Sequence, residues 1–236
     1  MLLIHPRVPT SVEAWSFSLR DALGSESWLD DGERDRAARF ATRELREAFA
    51  AAHVGRRALL ARFEGRAAGE LVFAETAQGK PFLVESRLDT RFSFSRSERA
   101  AALAIAAGVE VGADLEPRSR TAHADEILRG FATPAEQRWF FAQPEDERPE
   151  AFLRWWVAKE AVLKCIGTGL SGLGDVEVTF DASRAQIAGG FDHPLSVFVG
   201  EALGDHLIAV AAAADASDVE VRWRSWQGAR QREPQG

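Results

Sequence analysis

Val109-Glu110-Val111-Gly112-Ala113-Asp114-Leu115-Glu116-Pro117 lies near the middle of the chain. Its valines, its brevity and the terminating proline predict a strand over 109–116. Upstream, Trp15, Phe17 and Leu19 alternate with Ser16, Ser18 and Arg20, which predicts a strand within 12–20. Asp30-Asp31-Gly32-Glu33 reads as a helix start, and helical spacing runs over 34–63 with a break near Thr42. Short strands are predicted at 70–76, 81–85, 91–95 and 101–107.

Downstream, helical patterning extends from about Thr121 to Ile166, divided at Pro134 and Pro144. A glycine-rich turn follows at 167–174, then strands at 176–180, 195–199, 207–212 and 219–226. The order is strand, helices, strands, then helices, strands. This predicts an α+β fold of two similar lobes, an N-terminal lobe over 1–110 and a C-terminal lobe over 111–226. The polar tail 227–236 is expected to be disordered.

The 236 residues, 46% hydrophobic and 28% charged, suffice for a core without staples. A net charge of −7 argues against a general nucleic-acid binder. One cysteine, Cys165, excludes a disulfide framework and points to a reducing, cytoplasmic setting. The apolar run at the start is too short for a secretory signal. The longest weakly apolar stretch, 100–109, is too short to span a membrane.

Residues i and i+2 of a strand share a face, so Asp114 and Glu116 project together and Leu115 turns inward. Two close carboxylates repel unless a cation or proton lies between them, and such hard oxygens suit Mg²⁺. An isolated Asp-x-Glu reads first as two solvated acids at a strand end.

The helix Phe152-Leu153-Arg154-Trp155-Trp156-Val157-Ala158-Lys159-Glu160-Ala161-Val162-Leu163-Lys164-Cys165-Ile166 is apolar nearly all round, yet carries Lys159, Glu160 and Lys164. Such a helix is expected to be buried. Its charges then need one another or a polar ligand. Glu160 and Lys164 share one edge as an i,i+4 pair, which on its own also reads as a surface salt bridge. Trp155 and Trp156 are expected to be core, and Cys165 a buried small residue.

Gly112-Ala113-Asp114-Leu115-Glu116 followed by Trp156-x-x-Lys159-Glu160-Ala161-x-x-Lys164 resembles the 4′-phosphopantetheinyl transferase family, in its longer, pseudo-dimeric surfactin-type branch. Three further pieces resemble that family's motifs in the same order: Gly79-Lys80-Pro81, Phe92-Ser93-Phe94-Ser95-Arg96-Ser97 and Gly167-Thr168-Gly169-Leu170. The resemblance covers roughly residues 30 to 180 and implies two α+β lobes related by a pseudo-two-fold axis, with the site between them. It implies transfer of phosphopantetheine from coenzyme A to a serine of an apo acyl or peptidyl carrier protein, with release of adenosine 3′,5′-bisphosphate. Mg²⁺ would be held by Asp114, Glu116 and Glu160.

By the same resemblance Glu160 is the candidate base and Lys164 the positive charge at the pyrophosphate, with Asp114 completing the catalytic group. Coenzyme A would meet Lys80, Pro81, Ser95, Arg96 and Lys164, with Arg46 from the basic helical segment, where Arg43 competes. Lys159 would steady Glu160 or lie along the pantetheine arm. Arg96 and Ser93 depart from the family's usual histidine and asparagine. Arg118 and Arg120 are placed to meet an acidic carrier surface. A monomer and no membrane association are expected. A catalytically inactive binding module on the same fold, or a different Mg²⁺-dependent phosphoryl transferase, remain as alternatives.

Overall fold

The strand over 12–20 forms as β1 (Thr10–Ser18) in the computed structural model, which describes residues 9–20, 25–121 and 124–226. The expected tail, 227–236, lies outside the described residues. Asp30 opens α1 (Asp31–Ala38) with a capping box to Glu33, and the Thr42 hydroxyl caps α2 (Arg43–Glu64) by accepting from Leu45 N. The expected break near Thr42 is therefore the gap between two capped helices. β2 (Phe73–Glu75) and β3 (Pro81–Leu83) make a small hairpin, followed by β4 (Thr90–Arg96), β5 (Ala100–Ala107) and β6 (Val111–Pro117). Then come α3 (Ala124–Phe131), α4 (Pro134–Phe141) and α5 (Arg148–Ile166). The chain ends in β7 (Val176–Asp181), β8 (Arg184–Gly189), β9 (Ser196–Ala202), β10 (His206–Ala212) and β11 (Val219–Ser225).

Two main sheets carry this mixed α+β fold, ordered β11-β1-β5-β4 and β6-β10-β9. The alternation of β5 explains why the chain is alanine-rich there. Leu103 and Ile105 face α2 with Trp15, Phe17, Leu59 and Leu60. Ala100, Ala102, Ala104 and Ala106 face the second sheet, meeting Val111, Ala113, Leu115, Ile208 and Val210. Small side chains on that face let the two sheets approach closely. α5 covers the outer face of the second sheet, packing Leu163 and Val162 with Leu207, Ala209 and Ala211. Each main sheet thus has one long helix on its outer side.

The expected boundary needs a correction. β11 falls within 111–226, yet it joins the first sheet, parallel to β1 from Thr10↔Val219 to Ser16↔Ser225. There Val219 and Val221 pack against the inter-sheet cluster that includes Val12 and Ala14. The final strand thus completes the first lobe. Among the described residues, no helix is long and apolar enough to cross a membrane.

Candidate active site

The site begins with a close approach between backbones. A methyl group on Gly112 would fall 1.8 Å from the Ala161 carbonyl oxygen, so α5 rests directly on β6. This contact stacks the Glu160–Lys164 edge of the helix over the Asp114–Glu116 face of the strand. Leu115 points the other way and is buried between the sheets, as the period-two alternation predicts.

Asp114 is 3% exposed. Its Oδ1 accepts from the Ser95 hydroxyl at 2.7 Å and from Lys164 Nζ at 2.6 Å. Lys164 also donates to Ser95 Oγ at 3.2 Å and lies 3.7 Å from Glu160 Oε2. Asp114 Oδ2 is buried without a hydrogen-bond partner among the described residues. Glu116 completes the group, with Oε1 accepting from Arg120 Nη1. The Ser93 hydroxyl accepts from Ala113 N at 2.9 Å, which ties β4 to β6 behind the site.

Burial, then the Asp114 carboxylate, push the Glu116 carboxyl above its ordinary range, against the opposing pull of Arg120. Burial also raises Glu160, with Asp114 and Glu116 adding to it and Lys164 opposing. For Lys164, burial disfavours the charge, but Asp114 and Glu160 outweigh it and hold the ammonium above its usual value. The three carboxylates outnumber the two cations Lys164 and Arg120 that touch them. An orphaned buried carboxylate oxygen beside two carboxyls raised by burial and by neighbouring acids is the donor chemistry of a hard divalent cation. The acids do not, however, form a closed cage. Among the described residues no three acid, histidine or cysteine side chains are grouped to hold a metal ion.

The other expected residues divide. Ser95 and Lys164 are in the cluster. Arg96, at the exposed end of β4, has no ion-pair partner among the described residues, and Arg36 lies close enough to depress its pKa after burial does. Lys80 reaches the start of β6 and the end of α5. Its Nζ donates to Glu110 Oε2 at 2.6 Å, Val111 O at 3.2 Å and Cys165 O at 3.0 Å. Pro81 opens β3 beside it. Arg46 lines a separate pocket between α1 and α2 with Glu26, Arg34 and Arg43.

Lys159 needs a correction. It is fully buried, and its Nζ donates to both oxygens of Glu136 on α4, at 2.6 and 2.9 Å. An ammonium inside an apolar helix face needs a buried counter-ion, and Glu136 supplies it, so Lys159 neither steadies Glu160 nor faces the site. Arg118 is also occupied, donating to Glu150 at 2.6 Å and to Glu201 at 2.8 Å. Cys165 is buried as expected, its thiol pushed up to about 12 chiefly by burial.

Two features escaped the sequence reading. Glu136 holds α4 and β7 together by also accepting from Thr133 N at 2.7 Å and Val178 N at 2.8 Å. The pattern Thr133-Pro134-x-Glu136 is a capping-box signature that could have marked it. His53 stacks on Phe49 at 3.8 Å and meets the edge of Phe94 at 5.8 Å. Burial first, then Arg56, with Arg96 and Arg36 contributing, push its imidazole down to about 3.

A mixed α+β chain with a buried acid–lysine cluster between β6 and α5 matches known proteins. A family model of the 4′-phosphopantetheinyl transferase superfamily matches residues 110–211. The chain is 30% identical over 152 residues to 4′-phosphopantetheinyl transferase HetI of a Nostoc species, covering 64% of each chain. It is 36% identical over 142 residues to L-aminoadipate-semialdehyde dehydrogenase-phosphopantetheinyl transferase of Eremothecium gossypii, covering 58% of this chain and 48% of that one. A solved holo-(acyl-carrier-protein) synthase from Bacillus anthracis, in complex with CoA (3′,5′-ADP), gives a TM-score of 0.39 at 19% identity, covering 44% of this chain and 95% of that one. The matched stretches span less than two thirds of these curated relatives. Over residues 110–211 the chain is similar to the 4′-phosphopantetheinyl transferase superfamily.

Proposed function

We propose that this chain transfers the 4′-phosphopantetheine group of coenzyme A to a serine hydroxyl of an apo acyl or peptidyl carrier protein, releasing adenosine 3′,5′-bisphosphate. The observation that carries this reading is the meeting of Asp114 Oδ1 and Glu160 at Lys164, with the other Asp114 oxygen buried and without a hydrogen-bond partner among the described residues. Lys164 places a fixed positive charge where a pyrophosphate would sit, and its α5 backbone holds it there before reaction. Glu160, raised by burial and by neighbouring acids, is suited to take the proton of the attacking serine. Oxygen–phosphorus bond formation at the β-phosphorus then accompanies rupture of the bond to the α-phosphate oxygen, which leaves with adenosine 3′,5′-bisphosphate.

Asp114, Glu116 and Glu160 are the residues that would hold Mg²⁺, which when bound neutralises charge on the pyrophosphate oxygens. Ser95 orients Asp114 from β4, and Arg96 at the same strand's end, without an ion-pair partner among the described residues, offers a cation to a coenzyme A phosphate. Lys80 flanks this side through its contacts at the end of α5. Both main sheets come from one chain, which supports a monomer, and a single buried thiol is compatible with a reducing cytoplasmic setting. The competing reading is a binding module without transfer. Incubation with apo-carrier, coenzyme A and Mg²⁺ distinguishes the two by mass spectrometry. A carrier that gains the phosphopantetheine mass supports the transferase, whereas coenzyme A binding with unmodified carriers supports the module.

A further inference from the structure

Arg120 follows β6 in the segment after Pro117, and its Nη1 donates to Glu116 Oε1 as an i,i+4 ion pair. The two ends of this pair differ in setting: the Glu116 side chain is 11% exposed and that of Arg120 is 50% exposed. The guanidinium also lies 5.7 Å from the Trp156 ring centroid, so its half-exposed position has a preformed resting face. Inside the cluster, Lys164 already holds Asp114 and approaches Glu160. Glu116 is therefore the carboxylate whose protein-borne counter-ion comes from the solvent side.

We propose that Arg120 is a positioning residue that competes with a divalent cation for Glu116. Its guanidinium holds the Glu116 carboxylate out of the ion position and must release it for that carboxylate to ligate. This inference rests on the reading of Asp114, Glu116 and Glu160 as the ligand set. Two observations meet in it: the buried Glu116 carboxylate is held from the solvent side by Arg120, and Asp114 Oδ2, two residues earlier on the same strand face, is buried with no hydrogen-bond partner among the described residues. Because Arg120 is half exposed and its partner is not, the guanidinium is the member free to move.

The test is a Mn²⁺ titration of the full chain followed by electron paramagnetic resonance, at low salt and without coenzyme A or carrier. Freeing the Glu116 carboxylate from its charge-assisted hydrogen bond to Arg120 should tighten Mn²⁺ binding by about tenfold in Arg120→Gln. Arg120→Lys keeps the charge without the planar fork and should fall between the two. Glu116→Gln should weaken binding, and adding Arg120→Gln to it should then change nothing, because the competition acts through the Glu116 carboxylate. Unchanged or weaker binding in Arg120→Gln overturns the proposal while leaving the ion site standing. Tightening that persists beside Glu116→Gln overturns it too, as a general field effect. Absence of Mn²⁺ binding in every chain overturns both this inference and the ligand set beneath it.

Discussion

Lys164 Nζ lies 2.6 Å from Asp114 Oδ1 and 3.7 Å from Glu160 Oε2, so one ammonium joins a strand acid to a helix acid. Its position is set by α5 resting on β6, and that rigid placement is what electrostatic stabilisation of a transferring phosphoryl group requires. Lys164→Met should lower the transfer rate by roughly 10²-fold or more while the far-UV spectrum stays unchanged. Lys164→Arg should recover only part, since the longer planar fork cannot reproduce a compact point charge. Carrier mass shift against time measures both, and a normal rate in the methionine variant removes Lys164 from the chemistry.

Lys159 and Glu136 form an ion pair with both side chains at 0% exposure. Removing one member leaves a buried charge, so Lys159→Met should cost about 3–5 kcal/mol in denaturant unfolding. The double variant Lys159→Met/Glu136→Gln should recover much of that, because the amide oxygen can still accept from Val178 N. The folded double variant should bind coenzyme A as the parent does. A large loss of coenzyme A affinity there would return Lys159 to the site.

The legible part of the site is the part made by short-range geometry. Asp114 and Glu116 share a strand face by spacing, as Glu160 and Lys164 share a helix edge. What brings the edge over the face is one glycine, and Gly112 was readable only as part of a motif. Lys159 shows the limit: its presence in an apolar stripe was visible, but its partner stands 23 positions away across a tertiary contact. The same holds for β11, whose parallel pairing with β1 is non-local, and for β8, whose Arg-Ala-Gln-Ile-Ala-Gly sequence has little strand character until β7 pairs with it. The basic character of α2 was likewise misleading, since Arg56 and Arg57 are buried on Glu33, and Arg57 also binds Asp30.

Gly112→Ala places a methyl carbon 1.8 Å from Ala161 O and 2.5 Å from Cys165 N, both backbone atoms that cannot rotate away. α5 must then lift from β6. Overpacking of this kind costs about 1–3 kcal/mol and more where backbone must move. The thermal midpoint should fall, and transfer should fall further than stability alone dictates, because Glu160 and Lys164 ride on the displaced helix. A variant with parental midpoint and rate would show that α5 has slack at this crossing.

Arg96 should give coenzyme A affinity a flat electrostatic contribution across neutral pH, because a guanidinium keeps its proton there even with burial and Arg36 lowering its pKa. By calorimetry, the affinity ratio of the parent to Arg96→Ala should stay within about threefold from pH 6 to 8, whereas the ratio of Arg96→His to Arg96→Ala should decline as imidazole deprotonates near 6.5. Using ratios cancels the titration of the ligand's own phosphate. A parent ratio that collapses over this range would exclude Arg96 as a phosphate contact.

His53 makes the fold acid-sensitive in a predictable window. Its imidazole takes a proton near 6.5 when unfolded, but in the folded chain burial, then Arg56, Arg96 and Arg36, hold that step down to about 3. Between these values the unfolded state binds more protons than the folded state. Stability is therefore full above the unfolded value and is lost as pH falls toward the folded one, at up to about 1.4 kcal/mol per pH unit. His53→Gln cannot take up that proton, so its midpoint should decline less than the parent's between pH 6.5 and 4.5. The carboxylates titrate in both proteins, and the difference between the two curves isolates the imidazole. Parallel curves would mean that His53 is free to protonate in the folded state, and that Arg56, Arg96 and Arg36 do not act on it as their placement requires.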